Sequence, residues 1–179
     1  MAVDLDEAAQ LLLSCVCEAL TEAGRPTCSC GLTVGQAAIG VVCECGTRAN
    51  PASGELYVHL VSMYEADPTD LLRAPQIHPC RRTATVADFD IELFRCFPTI
   101  DERGKMPGAE EQTSAAIDLH ADVQDMWQAV TCCTGLRLIP GDVTIGNPDG
   151  GISVATFRVS VEVTPRRSYT PAPDPEPAP

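Results

Sequence analysis

Apolar residues at the start of the chain recur at alternating steps of three and four: Leu5, Ala8, Leu12, Cys15 and Ala19. That spacing places one apolar stripe on a helix and predicts a helix over Asp4–Ala23. Asp4, Asp6 and Glu7 complement the positive end of its dipole, and Gly24 followed by Pro26 stops it. Ala116, Leu119, Val123, Met126, Val130 and Cys133 step in the same way and predict a second long helix over Ala109–Cys133, ended by Gly135. Elsewhere the period is two. Glu55–Glu65 reads as a strand with Leu56, Val58 and Leu60 on one face and Tyr57, Val61 and Met63 on the other. Over Thr83–Phe97, Phe89, Ile91 and Leu93 alternate with Asp88, Asp90 and Glu92, the pattern of a half-buried strand with a solvated acidic face. Leu136–Ile145 and Ile152–Val163 read as a hairpin, with Phe157, Val159, Val161 and Val163 pointing one way and Arg158, Ser160 and Glu162 the other.

Between these elements the chain is punctuated by glycine and proline. Thr27–Asn50 is rich in Gly and Cys, with a short strand expected at Ala38–Cys43 and a turn at Asn50–Gly54. Asp67–Arg82 and Pro98–Gly108 read as loops long for the size of the chain, a feature associated with function. The order helix, strands, helix, strands, without regular βαβ alternation, predicts an α+β fold: a mixed or antiparallel sheet packed with two long helices. Residues 1–163 form the single domain expected of a chain this long, and residues 164–179, PRRSYTPAPDPEPAP after Thr164, form a mobile Pro-rich tail.

Composition narrows the picture. Of 179 residues, 45% are hydrophobic and 4% aromatic, so the core must be built of aliphatic residues and cysteine. The net charge of −13 excludes a surface that grips nucleic acid, which needs clustered Lys and Arg. It suits a surface that DNA slides past without sticking. The segment MAVDLDEAAQLLLSC lacks the basic start of a secretory signal, and no apolar run approaches the roughly 20 residues that span a bilayer. The expectation is a chain made in a reducing cytosol, its ten cysteines mostly packed as thiols, with oxidation after release from a cell left open.

Candidate chemistry is sparse. Six cysteines form C-x-C pairs, Cys15/Cys17, Cys28/Cys30 and Cys43/Cys45; Cys132/Cys133 are adjacent, and Cys80 and Cys96 stand alone. Structural zinc sites commonly use C-x2-C-like spacings, to which C-x-C is less suited; Cys28, Cys30, Cys43 and Cys45, whose two pairs flank the same loop, are the best four-thiolate set the chain offers, with a disulfide within that set an alternative and reduced thiols favoured over both. His59, His78 and His120 fall in no H-E-x-x-H or C-x-x-C-H motif. Asp88, Asp90 and Glu92, and Asp101, Glu102, Glu110 and Glu111, read as a solvated strand face and the acidic approach to a helix. GLTVGQAAIG lacks a P-loop lysine, and no G-x-S-x-G occurs. Trp127, beside the second apolar stripe, reads as a core or interface anchor. Arg81-Arg82 and Arg166-Arg167 are the basic doublets. No catalytic residue, cofactor or metal is expected.

DLDEAAQLLLSCVCEAL, then GELYVHLVSMYEA, then ELFRCFPTIDERGKMPGAEEQTSAAIDLHADVQDMWQAV resemble, in order and in segment, small neck and tail-completion proteins of siphoviruses infecting actinobacteria. The likeness spans Val3–Val163 and is nearest to the tail terminator class, with head-to-tail connectors next. It implies a non-enzymatic protomer that assembles into a homo-hexameric ring in the host cytoplasm and resides in the virion. The ring would cap the major tail tube protein, dock the head-completion or stopper protein, and let DNA pass through its lumen without specific binding. No membrane is involved in such a role. A stopper or adaptor of the connector is the alternative within that class. A small zinc-binding module, or a thiol- or metal-dependent hydrolase, is the alternative outside it.

Overall fold

The computed structural model describes residues 3–35, 41–47, 50–67, 84–100, 103–146 and 151–164. They form an α+β fold in the order α1 (Leu5–Glu22), β1 (Ser29–Thr33), β2 (Cys45–Thr47), β3 (Asn50–Ala52), β4 (Glu55–Ala66), β5 (Ala84–Cys96), α2 (Ala109–Cys132), β6 (Leu138–Ile145) and β7 (Ile152–Val163). Five strands make one mixed sheet, β1-β4-β5-β7-β6, in which β1 runs parallel to β4 and the other pairings are antiparallel. β2 and β3 form a separate antiparallel ribbon. The expected strand over Ala38–Cys43 lies partly outside the described residues, and its part from Val41 onward is not strand. The loop residues 68–82, the doublets Arg81-Arg82 and Arg166-Arg167, and the tail beyond Thr164 also lie outside them.

Both helices pack on one face of the sheet. Ala8, Leu12, Val16 and Leu20 of α1 and Leu119, Met126 and Val130 of α2 meet Leu56, Val58, Phe89, Ile91, Leu93, Phe157, Val159 and Val161 in one core. The stripe of α1 is thus centred on Val16 and Leu20 rather than on Cys15 and Ala19. Cys15 is half-buried and bonds to Cys133, the C-cap of α2. The Asp4 carboxylate accepts the Glu7 N–H at 2.9 Å and caps α1. Replacing Asp4 with Ala removes that acceptor, and urea unfolding is expected to show a loss of about 0.5–2 kcal/mol.

The cysteine expectation is overturned. Cys15–Cys133, Cys17–Cys30, Cys28–Cys45 and Cys43–Cys96 are disulfides, with Cα–Cα separations of 5.3–6.5 Å inside the span a disulfide bridges. Cys132 is the free thiol among the described residues and is exposed. On α1 the i,i+2 spacing sends Cys15 and Cys17 to different sides, so they join different neighbours. The members of the other two C-x-C pairs also bond to different partners.

β4 departs from its expected faces at a bulge. The register shifts between Leu60 and Ser62, leaving Val61 as the extra residue. Side-chain parity reverses there, so Ser62 and Tyr64, not Val61 and Met63, share a face with Tyr57 and His59. At the start of β4, Gly54 has φ +69°, and a Cβ there would sit 1.9 Å from the Phe94 carbonyl oxygen. Only glycine admits that approach of backbone to backbone.

Candidate functional site

Two arrangements of charged side chains stand out, one on each side of the molecule. The first lines a cleft of about 820 Å³ bounded by the end of α1, the β2–β3 ribbon, the end of β5 and one face of α2. Arg95, near the end of β5, donates from Nε to Asp122 Oδ2 at 2.8 Å and from its terminal nitrogens to the carbonyls of Arg25, Pro26 and Ser53. Asp122 also accepts Arg25 Nε at 2.7 Å, and Arg25 reaches on to Asp125. The hydrogen bond to Asp122, followed by the charges of Asp122, Asp125 and Asp118, raises the Arg25 pKa against the opposing effect of burial. Asp122 is 2% exposed, the one acidic residue in the inward stripe of α2. Local spacing does not single it out, because the arginines that meet it are 97 and 27 residues away.

The second arrangement covers the sheet face turned away from the helices. Parity sends Tyr57, His59, Ser62 and Tyr64 of β4, Asp88, Asp90 and Glu92 of β5, and Thr156, Arg158 and Ser160 of β7 to that side. Three polar rows cross it. Asp88 accepts from Ser62 at 2.9 Å, Ser160 at 2.6 Å and Tyr64 at 3.3 Å. Asp90 is gripped at both oxygens by the Arg158 fork, each bond 2.8 Å, a pairing that raises the Arg158 pKa. Glu92 lies beside His59, with Oε2 3.7 Å from Nδ1, and His59 Nε2 is 4.0 Å from Asp90.

The expectation of a solvated acidic strand face therefore fails. Asp90, Glu92 and His59 are 8%, 4% and 8% exposed, and His59 Nδ1 and Glu92 Oε2 have no hydrogen-bond partner among the described residues. Burial is the main reason that the Glu92 pKa rises; His59 opposes the rise and Asp90 adds to it. As pH climbs through the raised value, folded Glu92 must release a proton that the unfolded chain has already lost. Stability then falls with pH above the ordinary carboxylate range. Glu92→Gln is expected to remove that decline and to be more stable than wild type at neutral pH. Urea midpoints for both proteins, just above the ordinary carboxylate pKa and at neutrality, measure it; parallel profiles contradict it.

The sequence candidates are scattered. Cys28 and Cys45 bond to each other, Cys30 bonds to Cys17 and Cys43 to Cys96, so the proposed thiolate set is divided among three disulfides. His120 is exposed on α2, while His78, Cys80, Asp101 and Glu102 lie outside the described residues. Glu110 and Glu111 occupy the first turn of α2, where they meet the helix dipole. Trp127 is 44% exposed and stacks on Phe157 with ring centroids 5.1 Å apart. No group of three or more metal-ligating side chains occurs among the described residues. Among them no helix is long and apolar enough to cross a membrane. Neither a protein-family model nor a curated protein matches the chain.

Proposed function

We propose that this protein is a structural component of a bacteriophage neck, a tail terminator that closes into a six-membered ring on the head-proximal end of the tail tube. In that role it stops tube growth and docks the head-completion protein, and its side chains make and break no bonds. The observation that carries the reading is a surface suited to self-association, the shallow groove between α2 and β6. Val123, Trp127 and Val143 line it beside Gln124, Gln128 and Asp142. A half-exposed Trp stacked on a core Phe is a rigid apolar anchor of the sort found at interface centres. In a chain of net charge −13, this groove carries one charged residue, Asp142, so copies can approach here with little repulsion.

Strand addition is not the mode of contact at this edge. Pro140 lacks an N–H, and the register shift between Pro140 and Val143 interrupts the β6 ladder, features that blunt an edge against open-ended pairing. Side-chain packing in the groove, met by a different surface of the next copy, is the head-to-tail geometry that closes a ring. The acidic surface fits a conduit for DNA, and the four disulfides fit a particle that persists in oxidising surroundings after release. Native mass spectrometry of the purified protein should give hexamers in the presence of tail tubes, and Trp127→Ala should leave folded monomers that no longer cap them. A wild-type protein that stays monomeric on tubes ends this reading. Labelling of the neck in intact particles separates the terminator from a stopper or adaptor, which touches the head side instead.

A further inference from the structure

We infer that residues 41–47 and 50–54, the outer wall of the cleft beside Arg25, are held in place by disulfides rather than by the core, so the oxidation state of the chain decides whether that cleft exists. Among the described residues between Leu20 and Leu56, none belongs to the hydrophobic core. Within 41–47 every residue is half-buried or exposed. Apolar burial, the main force fixing a segment, is therefore weak here.

Covalent links take its place. Cys43 joins the segment to Cys96 at the end of β5, Cys45 joins it to Cys28, and Cys30, two residues further on, joins β1 to Cys17 of α1. The hydrogen bonds are few and mostly sit at one end. Gly54 N–H donates to the Val42 carbonyl, Val42 N–H to the Glu55 carboxylate, Ser53 N–H to the Pro26 carbonyl and Cys28 N–H to the Gly54 carbonyl, and Arg95 holds the Ser53 carbonyl. Residues 50–54 thus have a polar anchor that needs no disulfide, whereas 45–47 are tied to them by the β2–β3 ladder and to the rest of the molecule through Cys43 and Cys45. The fourth disulfide, Cys15–Cys133, lies elsewhere and ties α1 to the end of α2.

The chemistry is ordinary thiol–disulfide exchange. For each link a thiolate attacks a low-molecular-weight disulfide such as oxidised glutathione, giving a mixed disulfide and one released thiol. The second cysteine then displaces the other thiol. Each link costs the protein two protons and two electrons, which reduce one small disulfide to two thiols. In a reducing compartment the wall is unpinned while the sheet and helices remain; on passage to oxidising surroundings it closes over Arg25, Asp118 and Asp122. This inference does not depend on the ring reading.

Hydrogen–deuterium exchange of the full-length protein, oxidised and in dithiothreitol, tests it. Peptides from 41–47 should exchange at least about tenfold faster when reduced, and those from β5 and β7 should change less than about twofold. The double variant Cys43→Ser/Cys96→Ser, which leaves Cys15–Cys133 intact, should reproduce the faster exchange at 41–47 without reductant. Equal protection of 41–47 in both redox states overturns the inference. So does loss of protection throughout β5 and β7 on reduction, which makes the disulfides global staples. Reaction of maleimide with all eight paired cysteines in the denatured, unreduced protein overturns it as well.

Discussion

Arg95→Ala is expected to destabilise the protein by about 3–5 kcal/mol, the usual cost of removing one partner from a buried ion pair. The guanidinium is half-buried and donates to one carboxylate and three backbone carbonyls. Truncation leaves Asp122, 2% exposed, with Arg25 as its remaining ion-pair partner among the described residues, and it takes a donor from the carbonyls of Arg25, Pro26 and Ser53, of which Pro26 keeps the Ser53 N–H. For a chain of 179 residues this corresponds to a fall in melting temperature of roughly 6–20 °C. Arg95→Lys keeps the charge but cannot reproduce the fork, so it should recover only part of the loss. A double-mutant cycle with Asp122→Asn separates the pair from the carbonyl contacts: a coupling energy near zero would show that Arg95 acts through the carbonyls alone. Near wild-type stability for Arg95→Ala would remove the network from the account of how the cleft is built.

The second large effect concerns the disulfide between the helices. Cys15 and Cys133 are separated by 118 residues, and a closed loop of that size restricts the unfolded chain strongly. Replacing both with Ala should cost about 2–5 kcal/mol in urea unfolding under oxidising conditions, and much less once wild type and variant are both fully reduced. That second arm matters. Cys133 is itself buried and its sulfur sits 3.7 Å from the Leu11 carbonyl, so truncation also removes packing. A residual difference in reductant measures the packing share. If the oxidised proteins match in stability, the link contributes nothing to holding α1 against α2.

Period and punctuation made much of the architecture legible. The α2 stripe at Leu119, Met126 and Val130 and the inward face of β7 at Phe157, Val159 and Val161 lie where their spacing puts them. Local signals also bounded α1 at Asp4 and β5 within a residue of each end. The errors have identifiable causes. The bulge at Val61 reversed the faces of β4, and nothing in LYVHLVSMY announces an extra residue. β1 was missed because its five residues, Ser-Cys-Gly-Leu-Thr, carry no alternating pattern, and its pairing with β4 comes from chain distant in sequence. β3 reads as a turn because Asn50-Pro51 is turn chemistry, yet in an isolated two-stranded ribbon a proline needs no inward neighbour.

The candidate sites show the same division more sharply. Which residue types are available, how acidic the chain is, where its helices begin, and which faces of its strands are apolar all follow from local spacing, because backbone geometry fixes the direction of neighbouring side chains. The cleft and the buried row at His59, Asp90 and Glu92 do not follow from it. Asp122 looks like an ordinary exposed helix acid until Arg25 and Arg95 arrive from other elements, and Asp90 looks solvated until Arg158 is laid across it by the β5–β7 register. Ten cysteines permit a very large number of pairings; among the described residues the fold selects four by bringing Cα atoms within 6.5 Å, a distance condition that linear spacing does not carry.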